Sequence, residues 1–370
     1  MKKRDLFSTL RRPSRANDDG LVGLEVDANS VAAVQVRRNG SVQLAAGAVG
    51  PLAPGAVTDG EVTDRETVAE ALRSLFSTHA LSPQVRLGIA NQRVVVRTVR
   101  LPVIENPKEL AAAVRFAAQE QIAMPIDDAI LDYRVVGGAP ANDGAAPQLD
   151  IVVVAARRPM ISAWLETMRS AGLQPVGIDL SAFGLIRALG ELPGPTQEAN
   201  VAPAKPTTSN LYCNVGEVTN LAIARGRSCL FTRVSPVGLD DVVSSLASST
   251  GLSGEHARQW VSYVGLAQPP DSLEGDPETI ARTRAALESG ASALVDELRL
   301  SLDFYSAQDG AVPVERIVLS GPGSILPGFA EQMEPALGLP IATGRPSALS
   351  ELDAVAAARL TLSYGLALEE

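Results

Sequence analysis

Residues 211–224 read LYCNVGEVTNLAIA, and residues 21–36 read LVGLEVDANSVAAVQV. Each stretch places a short turn of acidic, amide and small residues between two apolar runs, which is the pattern of a strand, a tight turn and a second strand. A further polar turn follows each pair, at 38–40 and at 225–227, before a third apolar run. The sequence therefore predicts two related lobes that face a cleft, each beginning with a three-stranded antiparallel meander.

Helices and loops complete the predicted division of the chain. Helical patterns follow the meanders over 67–81 and 239–251. Residues 191–210 are rich in Pro, Ala and Thr, which is typical of a linker between two units of similar size. Surface loops are predicted at 137–148 and 267–279, where Gly, Pro and polar residues cluster.

Composition excludes several classes of site. The chain has 370 residues, of which 46% are hydrophobic and 20% are charged, as expected of a folded protein with more than one domain. Cys213 and Cys229 lie in apolar runs without the spacing of a zinc or redox pair. His79 and His256 have no ligand residues near them in sequence. A zinc site, a disulfide framework and a Cys/His protease are therefore not expected, and a reducing compartment fits best.

Charge is divided unevenly along the chain. The net charge is −10, but residues 1–15 contain six basic residues and one acidic residue, which gives +5 there and −15 for the remainder. Because nucleic-acid binding needs a basic face, the body of the protein is not expected to bind nucleic acid. The basic segment 1–15 is a candidate for contact with an anionic membrane surface. The alternative, a disordered soluble tail, is favoured because the apolar face is a single turn long.

No stretch approaches the roughly 20 apolar residues of a membrane span, and the N-terminal segment lacks the apolar centre of a signal peptide. Cytoplasmic localisation is therefore expected.

A third motif follows the second meander and its helices. Residues 316–341 read RIVLSGPGSILPGFAEQMEPALGLPI, a buried strand that enters a glycine-containing turn at 321–324 and then a helix. Such a turn can direct backbone N–H groups at the start of a helix toward a ligand. A tight connection without a ligand is the alternative, and the motif alone does not decide between them.

The two hairpin turns and the 321–324 turn, in this order, resemble the phosphate-1, phosphate-2 and adenosine motifs of the actin, Hsp70 and sugar-kinase superfamily. Further segments resemble the PilM family, the actin-like cytoplasmic proteins of type IV pilus assembly, which is related to FtsA. They include LGIANQRVVVRTVRLPVI at 87–104, VVVAARRPMISAWLETMRSAG at 152–172 and LVDELRLSLDFY at 294–305. The resemblance implies an α/β protein with a two-lobed actin-like ATPase fold, duplicated RNase H-like lobes and an inserted subdomain 1C.

The insert distinguishes this family from actin and the sugar kinases, which lack it. The residues agree, because strands and helices alternate over 87–177 as in a small α+β unit of two layers. The implied division is a basic flexible tail at 1–19, subdomain 1A at 20–86 and 178–192, subdomain 1C at 87–177, a linker at 193–209, subdomain 2A at 210–240 and 316–370, and subdomain 2B at 241–315.

The resemblance also implies a partner. In the family, the cleft beside the insert receives the N-terminal cytoplasmic tail of the membrane protein PilN. The implied function is an adaptor at the inner face of the cytoplasmic membrane, which binds a PilN-type tail and associates with the inner-membrane platform of the pilus. The alternatives are an active actin-fold ATPase or kinase, an FtsA-like cell-division adaptor, and the cytoplasmic part of the secretion protein GspL. The oligomeric state stays open.

Candidate nucleotide-binding residues follow from matching the family motifs to this chain, and no catalytic residue is assigned. They are Glu25, Asp27, Asn29, Ser30, Asp179, Asn214, Gly216, Glu217, Thr219, Gly238, Glu297, Gly321, Gly323 and Ser324.

Several of these positions depart from the family pattern. Glu25 and Asp27 replace the Asp and Gly of the first loop, and Asn214 replaces the Asp of the second. Glu217 enters that second loop, and Pro322 removes a backbone donor from the third. A carboxylate about 4 Å from a triphosphate would repel it by about 4 kcal/mol at an effective dielectric constant near 20. Weak or absent binding of ATP and no hydrolysis are therefore predicted. The alternative is that Glu25, with Asp27, holds Mg²⁺ beside a bound nucleotide.

Overall fold

The computed structural model describes residues 20–368, with gaps at 40, 123, 126, 140–146, 191–207 and 309. The predicted tail at 1–19, with its candidate membrane-contact segment 1–15, lies outside the described residues. So does the linker predicted at 193–209, except for its last two residues. Within the described ranges, no helix has both the length and the apolar character that crossing a bilayer requires.

Three segments of chain supply the helices and strands. The first contains β1 (Val22–Val26), β2 (Ser30–Asn39), β3 (Ser41–Pro51), β4 (Val57–Thr58), β5 (Glu61–Val62), α1 (Arg65–Thr78) and β6 (Gln84–Ile89). The second contains β7 (Val95–Pro102), α2 (Pro107–Gln121), β8 (Ala129–Ala139), β9 (Gln148–Arg157), α3 (Arg158–Ser170), β10 (Gln174–Leu180) and α4 (Ser181–Leu189). The third contains β11 (Ser209–Val215), β12 (Thr219–Arg225), β13 (Ser228–Ser235), α5 (Leu239–Thr250), α6 (Gly254–Val264), α7 (Pro277–Ser306), β14 (Val314–Ser320), α8 (Phe329–Leu337), β15 (Ile341–Thr343) and α9 (Ala354–Ala367).

Two five-stranded sheets repeat one topology. The first has the order β10-β6-β1-β2-β3 and the second has the order β13-β12-β11-β14-β15. In each sheet an antiparallel meander joins parallel strands, since β1 pairs in parallel with β6 and β11 with β14. The apolar runs on either side of the two polar turns form the first two strands of each meander, as their alternation with turn residues predicts. The predicted duplicated α/β fold is confirmed.

The range predicted as the insert, 87–177, contains a small sheet of its own. Its three strands form a separate sheet in the order β7-β9-β8, and α2 packs on β7 around a core that includes Val99, Val114 and Ile151. Helix α3 packs instead on α1, and Trp164 donates a hydrogen bond to the carbonyl oxygen of Gly60 over 3.1 Å. The apolar stripe of α3 belongs to the core of the first lobe.

Helices α4 and α9 pack against each other between the two sheets. Helix α9 lies on β1 and β2, although the sequence places 316–370 with the second lobe. Helix α4 contacts β12 of the second sheet, although 178–192 was predicted to belong to the first lobe. The apolar faces of these two helices build one core that both sheets share.

The crossing of α4 and α9 is close. A methyl group on Gly365 would lie 1.8 Å from the carbonyl oxygen of Gly184, so the contact requires a residue without a side chain. Arg187 donates from Nε to the carbonyl oxygen of Gly365 over 2.9 Å and forms an ion pair of 2.5 Å with Asp179. The backbones of the two helices are thereby fixed against each other.

Candidate functional site

The polar turns of the two meanders face each other across the cleft. The turn between β1 and β2 contains Asn29, whose backbone N–H donates to Oε2 of Glu217, in the turn between β11 and β12, over 2.8 Å. The side-chain Nδ2 of Asn29 donates to Oδ1 of Asp240, at the start of α5, over 3.2 Å. One residue of the first lobe therefore bonds two carboxylates of the second.

A cavity of about 290 Å³ opens beside these turns, and we call it the interlobe cavity. Strands β1 to β3 and helix α9 supply one side of it, and α5, α6 and the turn after β14 supply the other. The polar residues on its wall are Glu25, Asp27, Ser30, Asn214, Glu217, Asp240, Arg258, Ser262 and Arg359.

Three carboxyl groups meet at the polar end of the interlobe cavity. Burial, and then the charge of Glu217, raises the pKa of Glu25 to about 8. Burial, and then the charge of Asp27, raises the pKa of Glu217 to about 8, while burial and the charge of Glu25 raise the pKa of Asp27 to about 6. Asp27 and Glu217 also share a side-chain hydrogen bond. At pH 7 the two glutamates are therefore mainly protonated, and Asp27 carries most of the negative charge.

Asn214 holds the second loop to its neighbouring strand. Its Oδ1 is buried and accepts a hydrogen bond of 2.9 Å from Oγ of Ser320, at the end of β14. The turn that follows β14 begins at Gly321, which has a φ of +76° and approaches Asn214 so closely that a methyl group would lie 2.8 Å from Oδ1. Ser324 donates from Oγ to the carbonyl oxygen of Gly321 over 2.8 Å. Local hydrogen bonds and packing therefore account for the glycine-containing turn.

The structure brings most of the predicted site residues together. Those on the wall of the interlobe cavity are Glu25, Asp27, Ser30, Asn214, Gly216 and Glu217. Asn29 bonds to two of the acidic residues on the wall, and Gly321, Gly323 and Ser324 flank Pro322 and Ile325, which lie on the wall. The loop residues converge because the two meanders present corresponding turns to one cleft.

Four of the predicted nucleotide-site residues lie away from the interlobe cavity and bond to residues elsewhere. Asp179 pairs with Arg187, as described above, and Glu297 pairs with Arg233 over 3.0 Å. Thr219 donates from Oγ1 to the carbonyl oxygen of Val237 over 2.7 Å, and the N–H of Gly238 donates to Oδ2 of Asp241 over 3.1 Å. None of these four lies on the wall of the interlobe cavity described here.

Two arginines on the cavity wall were missed by the sequence interpretation. Arg258, on α6, contacts Asp240 over 3.3 Å, and Arg359 lies exposed on α9. The signal available in the sequence was helical spacing, since Arg359 lies four residues after Val355 and next to Ala358, which also line the cavity. That spacing becomes informative only once α9 is known to pack against the first sheet.

The raised pKa values predict that stability falls as pH rises between about 5 and 8. In the unfolded chain Glu25 and Glu217 lose their protons near the ordinary value of 4.5, whereas the folded protein retains them to about 8. The folded state therefore binds more protons throughout this window, so the free energy of unfolding decreases with rising pH. We expect the double variant Glu25→Gln/Glu217→Gln to lose on the order of 5 kcal/mol less than wild type between pH 5.5 and 8, because each glutamate stays protonated in the folded state for about two pH units of this window.

Urea unfolding at both pH values measures this difference. The matched control is Glu331→Gln on the exposed surface of α8, which should follow the wild-type pH dependence. An equal pH dependence of wild type and the double variant would show that the two glutamates are not protonated in the folded cleft.

Comparison with known proteins gives the following similarities. The family described as type IV pilus assembly protein PilM matches residues 23–368. A solved structure of a PilM-PilN type IV pilus biogenesis complex is 26% identical, covers 94% of this chain and 97% of that chain, and has a TM-score of 0.76.

More distant solved structures share the fold alone. The ethanolamine utilization protein EutJ from Carboxydothermus hydrogenoformans is 16% identical over 94% of this chain and 88% of that chain, with a TM-score of 0.52. MreB5 of Spiroplasma citri bound to AMPPNP is 12% identical over 93% of this chain and 94% of that chain, with a TM-score of 0.51. These likenesses confirm the predicted two-lobed actin-like fold.

Proposed function

Because this chain belongs to the PilM family of type IV pilus assembly proteins, we propose that it is an adaptor that binds the N-terminal cytoplasmic tail of a PilN-type membrane protein. The observation that carries the proposal is the likeness to a PilM-PilN complex across 94% of this chain. Such an adaptor would act at the inner face of the cytoplasmic membrane, beside the inner-membrane platform of the pilus.

The proposed tail site is the junction between the insert and the first lobe. A cavity of about 330 Å³ lies there, and we call it the junction cavity. Ile89 at the end of β6 and Leu180 at the end of β10 form its wall on the side of the first lobe, and Val95 and Val96 of β7 form its wall on the side of the insert. These apolar side chains suit the alternate side chains of an extended peptide.

Strand β7 supports the same location. It is an outer strand of the insert's sheet, and among the described residues only β9 pairs with it. Its other edge therefore offers backbone N–H and C=O groups to an added strand, the mode in which main-chain hydrogen bonds supply affinity and side-chain pockets supply specificity.

The interlobe cavity does not fit a magnesium nucleotide in the observed arrangement. The N–H of Asn29, in the loop that resembles a phosphate loop, is bonded to Glu217, and Asp27 adds negative charge beside it. Pro322 contributes no N–H to the turn after β14. Within the described parts of the chain, no three or more His, Cys, Asp or Glu side chains are placed to hold a metal ion. We therefore propose an adaptor that does not hydrolyse ATP, in preference to an active ATPase or kinase.

Titration of a synthetic PilN N-terminal tail from the same genome tests the proposed function. We expect saturable binding by calorimetry, because a preformed junction cavity and a free strand edge reduce the ordering required of the protein. A tail of the same composition in scrambled order is the control and should bind more weakly. Failure to bind the authentic tail at about millimolar concentration, an affinity of only about 4 kcal/mol, would remove the proposal.

A further inference from the structure

Strand β8 is an outer strand of the insert's sheet, and among the described residues only β9 pairs with it. In an antiparallel pair, alternate residues direct their N–H and C=O groups toward the neighbouring strand, and the residues between them direct theirs away. The N–H of Arg158 donates to the carbonyl oxygen of Asp128 over 2.9 Å, which fixes this alternation between β8 and β9. Leu131, Tyr133 and Val135 therefore direct their main-chain groups away from β9, toward what we call the outer edge of β8.

Two hydrogen bonds to side chains agree with this alternation. The carbonyl oxygen of Ala129, which points the same way as that of Leu131, accepts from Nη2 of Arg158 over 3.1 Å. The N–H of Tyr133 donates to Oδ1 of Asp132 over 2.8 Å. The carboxylate of Asp132 therefore lies at the outer edge, on a main-chain donor that an added strand would use.

The outer edge is exposed and partly apolar. Val135 and Val136 are 42% and 37% exposed, and β8 contains neither the Pro nor the Lys that often protects an edge strand from pairing. A β-bulge follows Val135 and interrupts the regular strand there. The segment open to regular pairing is therefore 131–135.

The charges of this segment identify its occupant. Asp132 and Arg134 are exposed on either side of Tyr133. When a second copy of β8 aligns antiparallel with the two Tyr133 residues opposite each other, Asp132 of each copy lies opposite Arg134 of the other. These positions form non-hydrogen-bonded pairs, in which side chains approach closely and opposite charges stabilise the sheet. Registers centred on Asp132 or on Arg134 place like charges opposite each other, which is unfavourable.

We propose that two copies of this chain associate through the outer edges of β8, paired antiparallel about Tyr133, so that their insert sheets join into one. Each Tyr133 exchanges main-chain hydrogen bonds with its counterpart, and Leu131 exchanges them with Val135 of the second copy. The N–H of Tyr133 then bonds to a main-chain carbonyl, which releases Asp132 to pair with Arg134 of the second copy.

This interface is separate from the proposed tail site. Strand β7 lies at the opposite edge of the insert's sheet from β8, so it forms both ends of the joined sheet. The proposal therefore does not depend on the proposed function. Because one short strand from each copy forms the contact, a weak dimer that depends on concentration is expected.

Sedimentation velocity of the full chain, over concentrations up to about millimolar, tests the proposal. The sedimentation coefficient of wild type should rise with concentration. Asp132→Arg and Arg134→Asp, each alone, should weaken association on the order of thirtyfold, because two symmetric pairs change from attraction to repulsion. The control Glu331→Arg, on the exposed surface of α8, changes the net charge as Asp132→Arg does and should associate as wild type does.

An equimolar mixture of the two charge variants should associate within about threefold of wild type, because each arginine of one chain then lies opposite an aspartate of the other. Recovery in the mixture also shows that both variants are folded. The proposal is wrong if wild type stays monomeric up to about millimolar concentration. It is also wrong if either charge variant associates as wild type does, or if the mixture stays monomeric. The tail titration is measured separately, so the proposed function stands in each of these cases.

Discussion

Replacement of Gly365 by alanine is expected to destabilise the protein by at least about 3 kcal/mol, although alanine in a helix is ordinarily more stable than glycine by about 1 kcal/mol. The added methyl group would lie 1.8 Å from the carbonyl oxygen of Gly184, a backbone atom that a change of side-chain rotamer cannot move. Helices α4 and α9 would have to separate, which opens the core shared by the two sheets. Equilibrium unfolding in urea measures the change.

The matched control for this substitution is Gly254→Ala, at the start of α6. The nearest atom to its added methyl group is Nη1 of Arg258, at 4.0 Å, so the substitution meets no backbone. We expect it to be neutral or to stabilise by up to about 1 kcal/mol. If Gly365→Ala were as stable as Gly254→Ala, the close crossing of α4 and α9 would not exist in solution.

The double variant Asp27→Gly/Glu217→Ala is expected to bind Mg-ATP on the order of a thousandfold more tightly than wild type. Removing Glu217 frees the N–H of Asn29, to which it is bonded over 2.8 Å. Removing Asp27, which is mainly ionised at pH 7, eliminates a repulsion of about 4 kcal/mol with a triphosphate at about 4 Å and an effective dielectric constant near 20. Calorimetry of both proteins at physiological Mg²⁺ measures the difference.

A variant carrying Asp27→Asn alone separates the effect of the charge of Asp27 from the effect of Glu217, which occupies the N–H of Asn29. It removes the negative charge but leaves Glu217 on the N–H of Asn29, so it should recover only part of the affinity. The proposal for the interlobe cavity is wrong if wild type binds ATP with micromolar affinity. It is equally wrong if wild type releases phosphate in a reaction that Glu25→Ala abolishes.

The fold and the loops of the interlobe cavity were predictable because their signals are local. The hairpins at 21–36 and 211–224 repeat one pattern of apolar runs and polar turns, and each run pairs with its immediate neighbour in sequence. Asp27 and Glu217 occupy corresponding turns of the two meanders, so a duplicated fold places both in one cleft.

The remaining features depend on partners that are distant in sequence. The apolar stripes of α3 and α9 are visible in the sequence, but a stripe does not identify the sheet that it covers. Asp179 and Glu297 were assigned to the nucleotide site because they match acidic positions of a motif. Their ion pairs with Arg187 and Arg233 depend on side-chain directions that the motif does not contain.

The position of α9 also affects how the first lobe folds while the chain is being synthesised. Oγ of Ser363 in α9 donates to the carbonyl oxygen of Ala32 in β2, across 331 residues of sequence. During synthesis on the ribosome, the inner face of β1 and β2 emerges long before the helix that covers it. The first lobe cannot finish folding until α9 has been synthesised, and its apolar face stays open to other nascent chains during that interval.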